Sequence, residues 1–64
     1  MIVDKKKLEV AMANACMNPT DLCKKVNMKY QLFYRVFTGN NCKPATVGKI
    51  AKALNVPVEN LIED

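Results

Sequence analysis

Helix starters and helix stoppers follow each other so closely in this chain that no element can be long. Asp4, the pair Asn18-Pro19, Asn27, Gly39, Pro44, Asn55 and Pro57 divide it into five short segments, none with a strand pattern of any length. Asp4 caps a first helix, with Val3 before it and Leu8 inside it as a staple. Leu8, Ala11, Met12, Ala15 and Cys16 form its apolar face, and it should end near Met17. In "NPTDLCKKV", Asn18 is an N-cap, Pro19 suits the first helical position, and Asp21 places a carboxylate in the first turn. This second helix covers about residues 19–26. The fourth, "PATVGKIAKAL", turns Val47, Ile50, Ala51 and Leu54 inward, and a fifth runs from about Pro57 to Ile62. The expected fold is all-α, a compact bundle of five short helices in one domain, 1–64.

The third segment, "NMKYQLFYRVFTGN", contains all four aromatic residues, the only Gln and the only Arg. Read with period two, both faces mix apolar and polar side chains, so a strand fails. Read as a helix over about 29–38, it separates cleanly. Phe33, Val36 and Phe37 make one stripe, with Met28 and Leu32 beside it. Tyr30, Gln31, Tyr34, Arg35 and Thr38 make a second, polar stripe. Phe37 fits either the core or a dimer contact. Tyr30 and Tyr34 fit either a reading surface or a pair that only stacks on itself.

Charge narrows the partner. The chain has 10 Lys and Arg against 6 Asp and Glu, for a net +4. No acid occurs between Leu22 and Val58, a span that carries Lys24, Lys25, Lys29, Arg35, Lys43, Lys49 and Lys52. Such a block suits a polyanion, although a solvated lysine surface has the same composition. Lys24 and Lys25 read more simply as solvated. The chain has no His, and its three cysteines, Cys16, Cys23 and Cys42, form no C-x-x-C pair. Zinc ligation, nucleophilic catalysis and general-base catalysis therefore lack their usual residues, and no metal, cofactor or enzyme activity is expected. The apolar runs are too short for a membrane span, and the start of the chain has no apolar signal core. A cytoplasmic location is expected.

The second and third segments also meet the spacing of a helix-turn-helix. Counted from Pro19, Leu22 is fourth, the small Cys23 fifth, Val26 eighth, Asn27 ninth, Met28 tenth, Phe33 fifteenth and Val36 eighteenth. Two crossing helices need apolar residues at the crossing, a small residue at the close approach and a left-handed residue in the turn. With "LCKKVNMKYQLFYRVFTGN", "PATVGKIAKALNV" and "VENLI", the chain resembles the Cro/C1-type helix-turn-helix family, the lambda-repressor-like DNA-binding domains.

The resemblance implies that the third helix enters the DNA major groove. It assigns base reading to Tyr30, Gln31 and Arg35, because Gln matches adenine and Arg matches guanine through paired hydrogen bonds. It assigns phosphate or groove-edge contacts to Thr20, Lys29, Tyr34, Thr38 and Lys43. Val58, Leu61 and Ile62 offer an apolar edge for a homodimer. The implied protein is a bacterial or phage transcriptional regulator, Cro-like or repressor-like, bound to double-stranded DNA at a palindromic operator, with no evident small-molecule effector. The alternative is a protein-interaction module, antitoxin-like or adaptor, built on the same fold. The pattern also has departures. Pro19 stands where the family usually has Gln, Asn27 where the turn Gly is common, and Lys29 where Ser or Thr opens the third helix.

Overall fold

A computed structural model describes residues 1–63. Four α-helices follow in order: α1 (Lys5–Asn14), α2 (Pro19–Val26), α3 (Tyr30–Phe37) and α4 (Pro44–Leu54). A single 3-10 turn, Val58–Asn60, replaces the fifth helix expected over Pro57–Ile62. The reason lies in the backbone beyond it. The Leu61 carbonyl accepts from Asp4 N–H at 2.7 Å, Glu63 N–H donates to the Ile2 carbonyl at 3.0 Å, and Val3 and Ile62 pair antiparallel. A helix continued through Ile62 would draw the Glu63 N–H back into its own last turn and point the Leu61 carbonyl along the helix axis, away from Asp4. The ends of the chain are thus stitched together, which the apolar pattern of Ile2 and Val3 was too short to announce. Ile2 also pairs with Asn41, so the same segment pins the loop after α3.

Each helix start follows from its residues. Asp4 Oδ1 accepts from Lys7 N–H at 3.0 Å and caps α1, where three lysines would otherwise oppose the helix dipole. At α2, Asn18 N–H donates to Asp21 Oδ2 at 3.0 Å, the return half of a capping box. Lys29 and Lys43 precede α3 and α4 in extended conformation, and neither side chain caps its helix. The region expected as helix over 29–38 therefore has Lys29 and Thr38 as its flanking caps.

All four helices stop in the same way. A left-handed residue follows each one, and two reversed hydrogen bonds close the last carbonyls in a Schellman motif. The left-handed residues are Cys16 (φ 57), Asn27 (φ 54), Gly39 (φ 88) and Asn55 (φ 58). At α2, for example, Met28 N–H reaches the Cys23 carbonyl at 2.9 Å and Asn27 N–H reaches the Lys24 carbonyl at 3.3 Å. Asn tolerates this conformation at little cost. Cys16 does not share that tolerance. It is exposed as well, so it leaves the apolar face of α1 where the helical period had placed it, and α1 ends at Asn14, short of Met17.

The core is built from one stripe of every helix. Leu8, Leu22, Phe33, Val36, Val47 and Ile50 are fully enclosed, with Val3 and Leu61 contributed by the stitched ends. α2 packs on both α3 and α4 and so fixes the angle at which α3 is presented. The burial of Leu61, 0 % exposed, corrects one expectation: it fills this core and is not free to form a dimer contact. Val58 and Ile62 remain half-buried at the surface.

Gly48 lies inside α4, and a methyl group built there meets nothing within 4 Å. Ala is favoured over Gly in a helix by about 1 kcal/mol. Gly48→Ala should therefore raise the melting temperature by roughly 4–8 °C in a chain of this size. Circular dichroism on heating checks this; an unchanged or lower midpoint would mean the position serves a contact outside the protomer.

Candidate nucleic-acid interface

The α3 helix has two faces with different tasks. Its inner face holds Phe33 and Val36 in the core, with the Phe37 ring stacked on Phe33 at 5.8 Å between centroids. Lys5 Nζ sits 5.2 Å from the centre of the Phe37 ring, so Phe37 is packed within the protomer and covered by a cation on its outer side. The outer face carries Tyr30, Gln31, Tyr34 and Arg35, all exposed. Tyr30 and Tyr34 are each 55 % exposed, and their rings stand 6.4 Å apart at 30°. Tyr30 also leans on Phe33 at 6.4 Å, which ties the outer pair to the core. Among the described residues, none of these four side chains makes a hydrogen bond or an ion pair. Their polar tips point to solvent from a rigid helix, the arrangement that base reading requires.

The flanking residues fall into two groups. Lys29 and Lys43 are exposed at the starts of α3 and α4, where unpaired backbone N–H groups gather. A phosphate at either point would meet both the amide groups and the ammonium. Thr38 is different. Its hydroxyl proton is taken by the α3 carbonyls of Tyr34 at 2.9 Å and Arg35 at 3.2 Å, and its oxygen accepts from Asn40 Nδ2 at 3.1 Å. Asn40 Nδ2 adds a bond to the Arg35 carbonyl at 3.0 Å. Thr38 and Asn40 thus close the end of α3. Thr20 is exposed in the first turn of α2, but Asp21 already places a carboxylate there. That charge competes with a phosphate for the same helix end.

The cysteines are free thiols on different parts of the fold: Cys16 exposed, Cys23 buried and Cys42 half-buried. Burial between α2 and its neighbours pushes the Cys23 thiol pKa up, so it stays protonated and acts as the small residue at the helix crossing. Cys42 Sγ donates to the Met1 carbonyl at 3.1 Å, beside the Cys42 N–H bond to the same oxygen at 2.7 Å. No helix among the described residues is long and apolar enough to cross a membrane.

Two helices joined by a left-handed Asn27, the second carrying an unpartnered polar stripe, define a helix-turn-helix protein. The family model for the Cro/C1-type HTH DNA-binding domain matches residues 7–64, and the chain belongs to that family. No curated protein and no solved structure matches the chain. Membership accounts for a DNA-binding regulator and leaves the individual contacts to be argued from the side chains.

Proposed function

We propose that this protein is a sequence-specific transcriptional regulator that lays α3 in the major groove of double-stranded DNA. The observation that carries the reading is the outer stripe of α3, four exposed polar or aromatic side chains that make no hydrogen bond or ion pair among the described residues. Gln31 pairs with adenine and Arg35 with guanine, each worth about 1–3 kcal/mol of discrimination. The Tyr30 ring packs on a thymine methyl group or its hydroxyl bonds a base edge, and Tyr34 works at the groove edge. Lys29 and Lys43 hold phosphates on either side. Thr38 and Thr20 are weaker contacts, one because its proton is spent on α3, the other because Asp21 stands beside it.

The same reading includes a homodimer on a palindromic or pseudo-palindromic operator, acting as a repressor by covering a promoter. Two copies of α3 would then lie roughly 34 Å apart, one turn of DNA. The surface that favours a dimer is a shallow groove of mixed character, in which Gly48, Ala51, Val56, Pro57 and Val58 supply the apolar part and Lys52 and Asn55 the polar edge, with Ile62 half-buried on the chain's end. Sedimentation of the free protein and of its DNA complex checks this. Two protomers per duplex are expected, and a monomer in both samples would reject the dimer. The whole reading is tested by selecting bound sites from random duplex DNA: an inverted repeat should emerge, and an unenriched pool would overturn it.

A second reading has one observation in its favour. The Tyr30–Tyr34 pair presents two large ring surfaces that would equally suit a protein partner. In that case replacing both tyrosines by Ala would abolish partner binding, and the protein would not retard duplex DNA at all.

A further inference from the structure

Two shallow grooves adjoin on the side of the molecule formed by α2, the turn and α4. One is lined by Lys25, Val26, Lys49, Lys52 and Ala53. The other places Met28, Lys29, Leu32 and Thr46 around the same Val26 and Lys49. Four cations border the combined surface and no acid lines it. Among the described residues none of the four has a hydrogen-bonded or ionic partner on its side chain. Lys25 and Lys52 stand in the last turns of α2 and α4, where the helix dipole favours a cation. Lys49 is in the middle of α4 and Lys29 at the positive start of α3, so helix electrostatics do not account for them. The floor between the lysines is apolar. Leu32 is 44 % exposed there, and Val26, Met28 and Ala53 are half-buried. None of Tyr30, Gln31, Tyr34 or Arg35 lines either groove, so this surface is separate from the reading stripe of α3.

We propose that this surface docks an acidic, amphipathic segment of a partner protein, with its apolar side on Leu32 and Val26 and its carboxylates on the lysine rim. The apolar floor decides between polyanions. A phosphodiester backbone would match the charges but leave Leu32 uncovered; an acidic helix matches both. Apart from Lys29, which the groove shares with the phosphate contact proposed at the start of α3, the groove lies outside the proposed DNA contacts, so a regulator seated on its operator presents a basic handle for a second protein.

The test uses a fluorescein-labelled synthetic helix with Glu on one side and Leu at i, i+3, i+4 and i+7 on the other. A second peptide has the same charge but Gln in place of Leu. Anisotropy titrations with the full chain should show the Leu peptide binding at least about tenfold tighter than the Gln peptide. Leu32→Ser and the pair Lys25→Gln/Lys49→Gln should each weaken the Leu peptide by about tenfold, while random duplex DNA is retarded within about threefold of the wild type. Circular dichroism verifies that both variants fold, and the exposed positions of all three residues favour that. Equal binding of the two peptides would overturn the proposal. So would a lysine variant that loses duplex and peptide alike, because the lysines would then form a track for the DNA backbone. Neither outcome depends on which bases α3 reads.

Discussion

Phe33→Ala should cost the chain about 3–5 kcal/mol, enough to unfold it at the lower end of its expected stability. Phe33 is 1 % exposed, stacks on Phe37 and supports the ring of Tyr30 from beneath. Truncating a buried Phe costs about 3–5 kcal/mol, the sum of lost transfer energy and the cavity left behind. A chain of 64 residues has roughly 3–10 kcal/mol to lose, at about 0.05–0.15 kcal/mol per residue. The substitution therefore removes at least about a third of the margin and, at the low stability expected of so short a chain, all of it. Urea denaturation followed by circular dichroism measures it, and a midpoint unchanged within error would mean that Phe33 is not the centre of the core. DNA binding should weaken with the fold, because Phe33 is the central anchor of α3, beside Val36 and Phe37.

The second large effect separates reading from folding. Gln31 and Arg35 are exposed, and among the described residues their side chains make no hydrogen bond or ion pair, so replacing either by Ala should leave the melting temperature within a degree or two. Binding to a selected operator should fall by about 1–3 kcal/mol per substitution, roughly 5- to 150-fold. Random duplex should respond differently to the two changes. Gln31→Ala should barely alter it, since a neutral side chain contributes nothing to counterion release. Arg35→Ala should weaken it slightly, through the lost charge. Equal losses on operator and random duplex for Gln31→Ala would remove Gln31 from base reading.

Much of this fold was readable because its signals are local. Asn18, Pro19 and Asp21 mark a helix start through capping chemistry that operates within four residues. The separation of Phe33, Val36 and Phe37 from Tyr30, Gln31, Tyr34 and Arg35 needs only the helical period. What was hidden depends on contacts far along the chain. Leu61 and Ile62 look alike in sequence, yet Leu61 enters the core because its backbone is held by Asp4, 57 residues earlier, and Ile62 stays at the surface. Val3 is buried for the same reason. Thr38 illustrates a different limit. A hydroxyl at the end of a helix can close the helix or bind a phosphate, and both uses have the same sequence. Only the 2.9 Å bond to the Tyr34 carbonyl shows that the first use is filled. Cys16 follows a helical spacing but ends the helix instead, because the last turn of α1 needs a left-handed residue and no Gly or Asn stands there.

The lysine groove and the reading stripe divide the basic block of the sequence into two surfaces. Lys29 and Lys43 stand at helix starts, beside the stripe on α3, and Lys29 also borders the groove. Lys25, Lys49 and Lys52 belong to the side of the bundle, around an apolar floor that a phosphodiester backbone does not match. The one run of charge thus supports two separable experiments, and failure of one leaves the other intact.

The central claim is that the outer stripe of α3, flanked by lysines, grips the DNA backbone and reads its bases. It is tested most directly by measuring affinity for the selected operator and for a scrambled duplex across a range of salt. The account predicts affinity that falls with a log–log slope of about −0.9 for each phosphate neutralised, and a preference for the operator that persists as both affinities drop. Affinity that ignores salt, or equal binding to the two duplexes at every salt concentration, would contradict it.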